Sequence, residues 1–503
     1  MKSPTVLVIL DGFGHSDSTI YNAVAQARTP TLDYLQTHYP HTLLQASGNA
    51  VGLLDQVQGN SEVGHITIGA GRIVDQPIKT LHDLINEHKL ETIPAIKKNF
   101  ELLARSGNTL HIMGLISDAG VHAHIDHMIA FINIANHYGI KHIALHCFLD
   151  GRDSPPQSAQ HYLTYLEKHI KNYSNTTIAS MCGRFYAMDR NNEWQRTQQA
   201  YDMLTTQQKS IFHGWRTALA HYCQQKIYDE FIPPTQLAAD GTIKSGDGIV
   251  FINTRPDRAR QLTSAFVTHN FSHFPVAHIP LCFFITPTAY NKHMPTSVLI
   301  ESKKINNTLM SVLCEHNFSL FTIAETEKYA HVTYFFNSGR ENVYANETRI
   351  LVPSISAHNY KNIPEMQAAK ITQEVITSLA NTPADFYLIN YANPDLVGHS
   401  GDLEATIHAI EFLDKQLAIL YQKIIVELRG TVYITADHGK AELMYNETLK
   451  QPCTAHTTNP VPFIMVNQEK KDSREKLPLK ELKDIAPFIL KNLNIPIPPE
   501  MQN

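Results

Sequence analysis

The sequence predicts an α/β fold of two domains, each a mostly parallel sheet flanked by helices. Short apolar runs alternate with polar loops and helical stretches, the order that builds parallel sheets covered on both faces. A chain of 503 residues also exceeds one ordinary hydrophobic core. Aspartate and histidine clusters lie near both ends, whereas most clustered arginines lie between them. We therefore expect one domain to be split in sequence, with the second inserted into it.

The predicted strands share one feature, which is that a cluster of polar residues follows almost every one. In chain order they cover residues 5–10, 110–116, 143–149, 249–252, 386–389, 432–435 and 461–466. In open parallel sheets, ligands bind beyond the carboxyl ends of the strands. The pattern predicts active-site loops that are far apart in sequence.

Two segments predict the domain boundaries. Residues 69–76 precede a helical stretch that begins at residue 78, and residues 290–306 are polar and irregular. We place one domain at residues 1–75 and 303–503, which contain the aspartate and histidine clusters, and a second, inserted domain at residues 76–302, which contain most of the clustered arginines. The segments near 75 and 303 are the candidate hinges for closing one domain onto the other.

Composition excludes several classes of protein. The formal net charge is −5, and no basic stripe with interleaved aromatics indicates a nucleic-acid surface. No apolar run reaches the length of a membrane span, and residues 5–10 lack the cleavage site of a signal peptide. The 6 cysteines are scattered without a CxxC pair, as is typical of reduced thiols. We expect a cytoplasmic protein that binds neither nucleic acid nor membranes.

Residues 59–65 read Gly-Asn-Ser-Glu-Val-Gly-His, at the start of a predicted helix. Ser61 has two interpretations. Its hydroxyl could cap the helix, which is the common role of serine at this position. It could instead be an exposed nucleophile beside backbone N–H groups that bind an anion such as phosphate. Taken alone, the motif favours the capping role.

Aspartate and histidine residues with metal-ligand spacing favour the nucleophile role of Ser61 over the capping role. Asp395 and His399 are one helical turn apart, Asp437 and His438 follow a predicted strand, and His456 precedes another. Ligands of this type suit manganese or zinc. Together with Asp11 they are too many for one tetrahedral zinc and fit two neighbouring ions, which favour phosphoryl transfer. Ser61 could then be the metal-activated nucleophile.

Several of these motifs resemble the cofactor-independent (2,3-bisphosphoglycerate-independent) phosphoglycerate mutases, within the alkaline-phosphatase superfamily. The resemblance extends almost end to end and is carried by Asp11-Gly12-Phe13-Gly14, residues 59–65, Ala436-Asp437-His438-Gly439 and His456-Thr457-Thr458-Asn459-Pro460. It implies two manganese ions, with other divalent metals possible. One ion would be held by Asp395, His399 and His456, and the other by Asp11, Ser61, Asp437 and His438.

The middle of the chain is rich in arginines in short loops with Gly, Pro and Asp. A single such arginine is often a surface residue or an ion-pair partner, but their repetition favours an anion-binding pocket. The resemblance implies that this domain binds glycerate through His122, Arg152, Arg184, Arg190, Arg255 and Arg258. It also implies that Asp153 binds substrate and is the general acid/base, and that Lys328 binds the transferring phosphoryl group and acts in catalysis.

The function implied is that of an isomerase of glycolysis and gluconeogenesis, a monomer acting on small phosphoglycerates. It would interconvert 3-phosphoglycerate and 2-phosphoglycerate through a phosphoserine on Ser61, without bisphosphoglycerate. Two alternatives stay open. A metal-dependent phosphatase or another phosphomutase of the superfamily would share the metal ligands and Ser61. An inactive anion-binding protein should have lost at least one of these residues, and none is missing.

Other features weigh against this interpretation or depart from the family pattern. Residues 122–127 fit the HxHxDH pattern of dinuclear zinc hydrolases, an alternative that would leave the C-terminal ligands without a role. Lys440 replaces the usual asparagine, Thr254 replaces an aromatic residue, and Ser338-Gly339-Arg340 lacks a second glycine. None of these departures removes a predicted ligand, although Lys440 could change metal affinity and pH optimum.

Overall fold

The computed structural model describes residues 3–207, 212–301, 304–355, 360–447 and 450–502. By its internal contacts the chain divides into two compact units. The first comprises Met1–Asp75 with Lys304–Asn503, and the second comprises Gln76–Lys303. Residue 303, a predicted hinge position and the predicted start of the C-terminal segment, lies outside the described residues.

The strands are short and mostly buried. In chain order they are β1 (Thr5–Leu10), β2 (His41–Leu44), β3 (Thr109–Leu115), β4 (His142–Leu149), β5 (Thr176–Gly183), β6 (Thr235–Gln236), β7 (Gly248–Phe251), β8 (Phe283–Thr286), β9 (Ser297–Val298), β10 (Leu320–Glu325), β11 (Glu347–Val352), β12 (Phe386–Tyr391), β13 (Thr431–Thr435), β14 (Tyr445–Asn446), β15 (Gln451–Pro452) and β16 (Val461–Val466).

The α-helices separate most of these strands. They are α1 (Ala23–Gln26), α2 (Pro30–His38), α3 (Ser61–Ala70), α4 (Pro77–Asn86), α5 (Pro94–Ser106), α6 (Ile125–His137), α7 (Ala159–Ile170), α8 (Arg184–Ala187), α9 (Trp194–Thr205), α10 (Trp215–Gln224), α11 (Arg260–Val267), α12 (Leu309–Glu315), α13 (Thr326–Ala330), α14 (Ala368–Asn381), α15 (Asn393–Gly398), α16 (Leu403–Tyr421) and α17 (Ile485–Asn492).

The first unit is built on a seven-stranded sheet in the order β11-β10-β12-β1-β13-β16-β2. Neighbours are parallel from β11 to β13, whereas β16 is antiparallel to both β13 and β2. The central strand β1 reads TVLVIL, and all its residues are buried. A continuous run of β-branched and aliphatic residues is typical of a parallel strand covered on both faces.

The second unit is also built on a seven-stranded sheet, in the order β6-β5-β4-β3-β7-β8-β9. Only β6, at one edge, is antiparallel to its neighbour. Each unit has its own hydrophobic core, formed where helices pack on the sheet. The predicted fold class, mostly parallel α/β sheets flanked by helices, is therefore confirmed.

Two details differ from the sequence prediction. Residues 69 and 70 belong to α3 rather than to an irregular boundary, because the helix continues until Gly71 adopts a left-handed conformation that ends it. Strand β12 continues past residue 389 through Asn390 and Tyr391, which pair with β1.

Among the helices of the described residues, none has both the length and the apolar character that crossing a membrane requires.

Candidate active site

In the first unit, four neighbouring strands of the sheet direct their carboxyl ends to one edge. Asp11 follows β1 directly, and Asp437 follows β13 after one residue. Helix α15, which follows β12, contains Asp395, and helix α13, which follows β10, contains Lys328. Because these strands are adjacent in the order β10-β12-β1-β13, loops distant in sequence meet here.

Ser61 is the first residue of α3, and it is not the cap of the helix. The capping residue is Asn60, whose side chain accepts a hydrogen bond from the Val63 amide at 3.2 Å. The capping role that the motif favoured when taken alone is therefore wrong. Since Asn60 satisfies the helix terminus, the Ser61 hydroxyl is left for other contacts.

Three charged or polar side chains surround that hydroxyl. Ser61 Oγ donates to Asp11 Oδ1 at 3.1 Å and lies 3.0 Å from His438 Nε2. Lys328 Nζ donates to it at 2.7 Å. The serine oxygen is thus held by contacts from three separate loops, in a buried position.

Glycine allows the loops to come this close. A Cβ on Gly64 would lie 2.4 Å from the Asp437 carbonyl oxygen, and one on Gly12 would lie 2.8 Å from Asp395 Cα. Gly12 also has φ +75°, which side chains of L-residues rarely adopt. A larger residue at either position would push an aspartate away from the site.

Asp395, His399 and His456 form the first of two groups whose ligand atoms lie within 4.8 Å of one another. His399 Nδ1 lies 2.7 Å from the Thr454 carbonyl, and His456 Nδ1 lies 2.9 Å from the Gly59 carbonyl. Each Nδ1–H therefore donates to backbone, which leaves each Nε2 as a lone-pair ligand. Both Nε2 atoms are 3.2 Å from Asp395 Oδ1.

Asp11, Asp437 and His438 form the second group, with all three residues buried. The Gly12 and His438 amides each donate to Asp437 Oδ1 at 3.1 Å. Asn390 Nδ2 donates to Asp11 Oδ2 at 2.9 Å. Backbone donors thus fix Asp437 Oδ1 and orient its other oxygen, whereas both oxygens of Asp11 have donors, because Oδ1 also accepts from Ser61 and Lys328.

The donor atoms of both groups fit divalent cations. Asp395 Oδ1 and Asp437 Oδ2 are buried and accept no hydrogen bond from the described residues. The Nε2 atoms of His399 and His456 are 3.0 Å apart, so two lone pairs face one small region. Carboxylate oxygens and neutral imidazoles are ligands for manganese, zinc and similar ions. Buried acceptors without donors are costly unless a cation or a proton lies among them.

Charge within this group of residues opposes the effect of burial. Burial alone would raise the pKa of Asp11 and Asp395, but the Lys328 ammonium, 2.6 Å from both, holds these values well below the usual range. Burial would lower the pKa of Lys328, which the same carboxylates raise instead. Burial would also lower the pKa of His438, yet Asp437 and the other carboxylates raise it to about 9. The ionised forms stabilise one another.

In the second unit, the predicted substrate-binding residues lie on loops after neighbouring strands. Strands β5, β4, β3 and β7 are adjacent and parallel. The loops that follow them contain Arg184, the Asp150–Asp153 turn, His122 and the Arg255–Arg258 turn, respectively. The same edge-of-sheet geometry operates here as in the first unit.

Arg184 lies at the centre of this cluster and is only 2% exposed. Its Nη1 donates to Asp150 Oδ1 at 2.6 Å and to Asp153 Oδ2 at 2.5 Å. Its Nε is buried and donates to no acceptor among the described residues. The carboxylates of Asp150 and Asp153 thus bind Arg184 through Nη1, and they leave Nε without an acceptor.

His122 lies between two carboxylates, with Nε2 3.9 Å from Asp153 and Nδ1 4.0 Å from Asp257. Burial and the nearby guanidinium groups of Arg184 and Arg255 lower the pKa of His122 to about 3. The imidazole is therefore neutral at physiological pH, and it can donate one hydrogen bond and accept another.

The remaining arginines line the same region. Arg190 Nη1 donates to Asp257 at 3.1 Å, whereas Arg152, 56% exposed, lies 3.4 Å from Glu230. Burial and then the neighbouring arginines lower the pKa of Arg258, because one more positive charge is disfavoured there. Such an excess of positive charge attracts an anion.

Several residues without a predicted role also lie in these clusters. Asp150 and Asp257 bind the predicted substrate arginines, and Asn390 binds Asp11. His65 Nδ1 lies 3.2 Å from Asp437 Oδ2. Asp150 and Asp257 lie in the short arginine-rich loops and His65 lies in the motif at residues 59–65, so position within these segments was an available signal, whereas Asn390 follows a predicted strand without any other indication.

The zinc-hydrolase alternative finds no support in this structure. The two groups above are the ones found among the described residues, and neither includes His124, Asp126 or His127. His124 instead caps α6 by accepting from the Asp126 amide at 3.3 Å. His127 is buried beside the rings of His82 and His124, at centroid distances of 5.6 and 5.7 Å.

Two of the departures from the family pattern have identifiable contacts. The amide and hydroxyl of Thr254 donate to the His122 carbonyl at 2.7 and 3.1 Å, which fixes the His122 backbone. Lys440 is buried, and its Nζ donates to the Cys453 carbonyl at 3.2 Å. The Arg340 guanidinium stacks 4.1 Å above the Tyr344 ring, which does not explain the missing glycine.

Comparison with known proteins places this geometry in a family. Residues 81–292 match the family model described as the BPG-independent PGAM N-terminus. The chain is 44% identical to the 2,3-bisphosphoglycerate-independent phosphoglycerate mutase of Acaryochloris marina, over 99% of this chain and 94% of that relative. It is 43% identical to the enzyme of the same name from Legionella pneumophila strain Lens, over 99% and 97%.

A solved structure agrees with these relatives. The chain resembles the Leishmania mexicana phosphoglycerate mutase, crystallised at low cobalt concentration, with a TM-score of 0.74 and 30% sequence identity. The match covers 100% of this chain and 97% of that one. Identity at this level over nearly the full length confirms the predicted resemblance: the chain belongs to the 2,3-bisphosphoglycerate-independent phosphoglycerate mutase family.

Proposed function

We propose that this protein interconverts 3-phosphoglycerate and 2-phosphoglycerate through a phosphoserine on Ser61, without a bisphosphoglycerate cofactor. The observation that carries the proposal is the position of Ser61 Oγ, 2.7 Å from Lys328 Nζ and within 3.1 Å of two residues of the second ligand group, Asp11 and His438. A hydroxyl held among metal ligands and an ammonium group is suited to attack a phosphoryl group.

Two divalent ions would be held in the first unit, one by Asp395, His399 and His456. The other would be held by Asp11, Asp437 and His438 together with Ser61. When bound, such ions lower the pKa of a coordinated hydroxyl and offset negative charge on phosphoryl oxygens. We propose manganese, since the ligands mix carboxylate with imidazole, and other divalent metals such as zinc or cobalt would fit the same donors.

The protein's own groups account for the transfer. In the loaded site the Ser61 hydroxyl would already have released its proton to solvent, because a coordinated cation lowers the pKa of that hydroxyl. Ser61 Oγ then forms a bond to phosphorus as the bond from phosphorus to the glycerate oxygen breaks. Asp153 gives its proton to that departing oxygen. After the glycerate reorients, its other hydroxyl attacks the phosphoserine and loses its proton to Asp153, which restores Ser61. Lys328 stabilises the charge on the equatorial phosphoryl oxygens throughout.

The arginine cluster of the second unit would hold the glycerate between the two half-reactions. Guanidinium groups bind carboxylates and phosphates with two hydrogen bonds, and Arg184 keeps a buried, unused Nε donor for this task. Neutral His122 would bind a hydroxyl of the glycerate. Both residue sets are complete within one chain, so we propose a monomer, and free cysteines support a cytoplasmic location.

The test is an assay on 3-phosphoglycerate with and without manganese, with a chelator, and with added bisphosphoglycerate. We expect formation of 2-phosphoglycerate that requires metal and is indifferent to bisphosphoglycerate. Free phosphate as the main product would instead identify a metal-dependent phosphatase. An absolute need for bisphosphoglycerate would contradict the phosphoserine mechanism.

A further inference from the structure

We propose that Asp150 is a positioning residue for the reaction, which orients Arg184 and fixes the backbone that carries Arg152 and Asp153. This inference rests on the proposed function, because it assigns these three residues to substrate binding and proton transfer. It adds a residue to which neither the motifs nor the relatives' names give a role.

The carboxylate of Asp150 connects four parts of the cluster. Its Oδ1 accepts from Arg184 Nη1 at 2.6 Å and from the amides of Asp153 and Arg152 at 3.0 and 3.2 Å. Its Oδ2 accepts from Ser117 Oγ at 2.7 Å, on the loop that leads to His122. Both carboxylate oxygens therefore have partners, and the loops after β3, β4 and β5 are joined through one side chain.

Exposure distinguishes the tasks of the two carboxylates that share Arg184 Nη1. The Asp150 side chain is 0% exposed, whereas that of Asp153 is 24% exposed. A substrate hydroxyl can reach Asp153 but not a carboxylate enclosed by four donors. Asp150 is thus suited to hold Arg184, and Asp153 is suited to exchange a proton with substrate.

The contact with Asp150 also determines which face of Arg184 remains available. Nη1 is occupied by the two carboxylates, while Nε is buried and donates to no described residue. The donors left for a carboxylate or phosphate are therefore those that Asp150 and Asp153 do not occupy, Nε among them. Without Asp150, the guanidinium could rotate towards Asp153 alone, and its free donor would no longer have a fixed direction.

The first variant is Asp150→Asn, which keeps the shape of the side chain and removes its charge. Charge-assisted hydrogen bonds contribute about 1.5–3 kcal/mol, so we expect kcat/KM to fall roughly 10- to 150-fold. A double-mutant cycle that combines Asp150→Asn with Arg184→Ala decides whether Asp150 acts through Arg184. If Asp150 acts through Arg184, Asp150→Asn lowers kcat/KM by less than about threefold in the Arg184→Ala background.

Asp247 offers a matched control in the same unit. It is also buried, and it accepts from the amides of Thr109 and Lys244 at 2.9 and 2.7 Å and lies 3.1 Å from His111 Nε2. It lies beside the first residue of β3, at the opposite end of the strand from the cluster. Asp247→Asn should lower the melting temperature as much as Asp150→Asn does, yet leave kcat/KM within about threefold.

Calorimetric titration with 3-phosphoglycerate separates this inference from the proposed function. If the wild-type protein does not interconvert phosphoglycerates, the proposed function fails, and the titration still reports whether Asp150→Asn weakens binding at least about tenfold while Asp247→Asn does not. Equal effects of the two variants on binding, or fully additive losses in the Asp150–Arg184 cycle, would overturn the inference and leave Asp150 a purely structural residue.

Discussion

The two units present opposite charge on the same architecture. In each, four adjacent strands of a parallel sheet end at one edge, and the functional side chains follow those ends. The first unit places three carboxylates and three histidines around one lysine and Ser61, and the second places arginines around a neutral histidine and the buried Asp150. The first set of side chains suits cations, and the second suits an anion.

The difference shows how one reaction can be divided between two sheets. A phosphoryl group in transfer needs positive charge around its oxygens, which bound metal ions and Lys328 would supply in the first unit. Glycerate needs oriented donors rather than a nucleophile, which Arg184 and its neighbours offer. Substitutions in either unit should therefore change different measured quantities.

The largest effect is expected for Ser61→Ala, which removes the proposed nucleophile. Interconversion should fall by at least about 10⁴-fold, as is usual when a covalent nucleophile is lost. Mass spectrometry of the intact protein mixed with substrate should show phosphorylation of the wild type only. The control is Ser311→Ala, whose hydroxyl donates to the Thr308 carbonyl at 2.8 Å and belongs to neither site. Substantial activity in Ser61→Ala would refute the phosphoserine step.

The next largest effect is expected on the metal affinity of the ligand groups in the first unit. His399→Ala removes one of three ligands, and the dissociation constant for manganese should rise by about 100-fold or more, measured by calorimetry. Its matched control is His408→Ala, since His408 is a half-exposed histidine that lies 3.3 Å from Glu365. A similar loss of metal affinity in both variants would mean that His399 is not a ligand.

A substitution in the arginine cluster of the second unit should weaken the binding of phosphoglycerate without changing the affinity for metal. Arg184→Lys keeps the charge but loses the planar fork, so KM for phosphoglycerate should rise roughly 10- to 30-fold, with manganese affinity unchanged. Arg216→Lys is the control, because Arg216 pairs with Glu167 on the surface. If Arg184→Lys instead weakened manganese binding and left KM unaltered, the division between the two sites would be incorrect.

The last prediction concerns stability against acid rather than turnover or binding. His122 has a pKa of about 3 in the folded protein and an ordinary value of 6.5 when unfolded. Between these values the unfolded chain binds the extra proton, so stability present above pH 6.5 is lost as pH falls towards 3. When the pH is lowered from 7 to 4, the unfolding free energy of the wild type should therefore fall by about 3 kcal/mol more than that of His122→Gln. Urea denaturation at each pH measures this difference.

Surface histidines give the comparison for that measurement. His15→Gln alters a side chain that is 44% exposed, and it should leave the pH dependence of unfolding as in the wild type. Identical pH dependence in His122→Gln and His15→Gln would show that His122 is not held neutral by burial and the arginines.

The sequence by itself determined the fold class, because continuous apolar strands alternating with helical stretches admit few arrangements other than covered parallel sheets. It also indicated which loops carry chemistry, since ligand-type residues follow strands such as β1 and β13. Motif resemblance then brought Asp153 and Lys328 into the candidate site, although neither has a distinctive spacing of its own.

The tertiary structure alone decided what each side chain contacts. Strand order brought β10, β12, β1 and β13 together, so Lys328 reaches Ser61 although 267 positions separate them. It assigned the helix cap to Asn60, which sequence preference gave to its neighbour. It also enclosed Asp150 among donors from several loops. Such contacts depend on long-range packing, which local preferences along the chain do not specify.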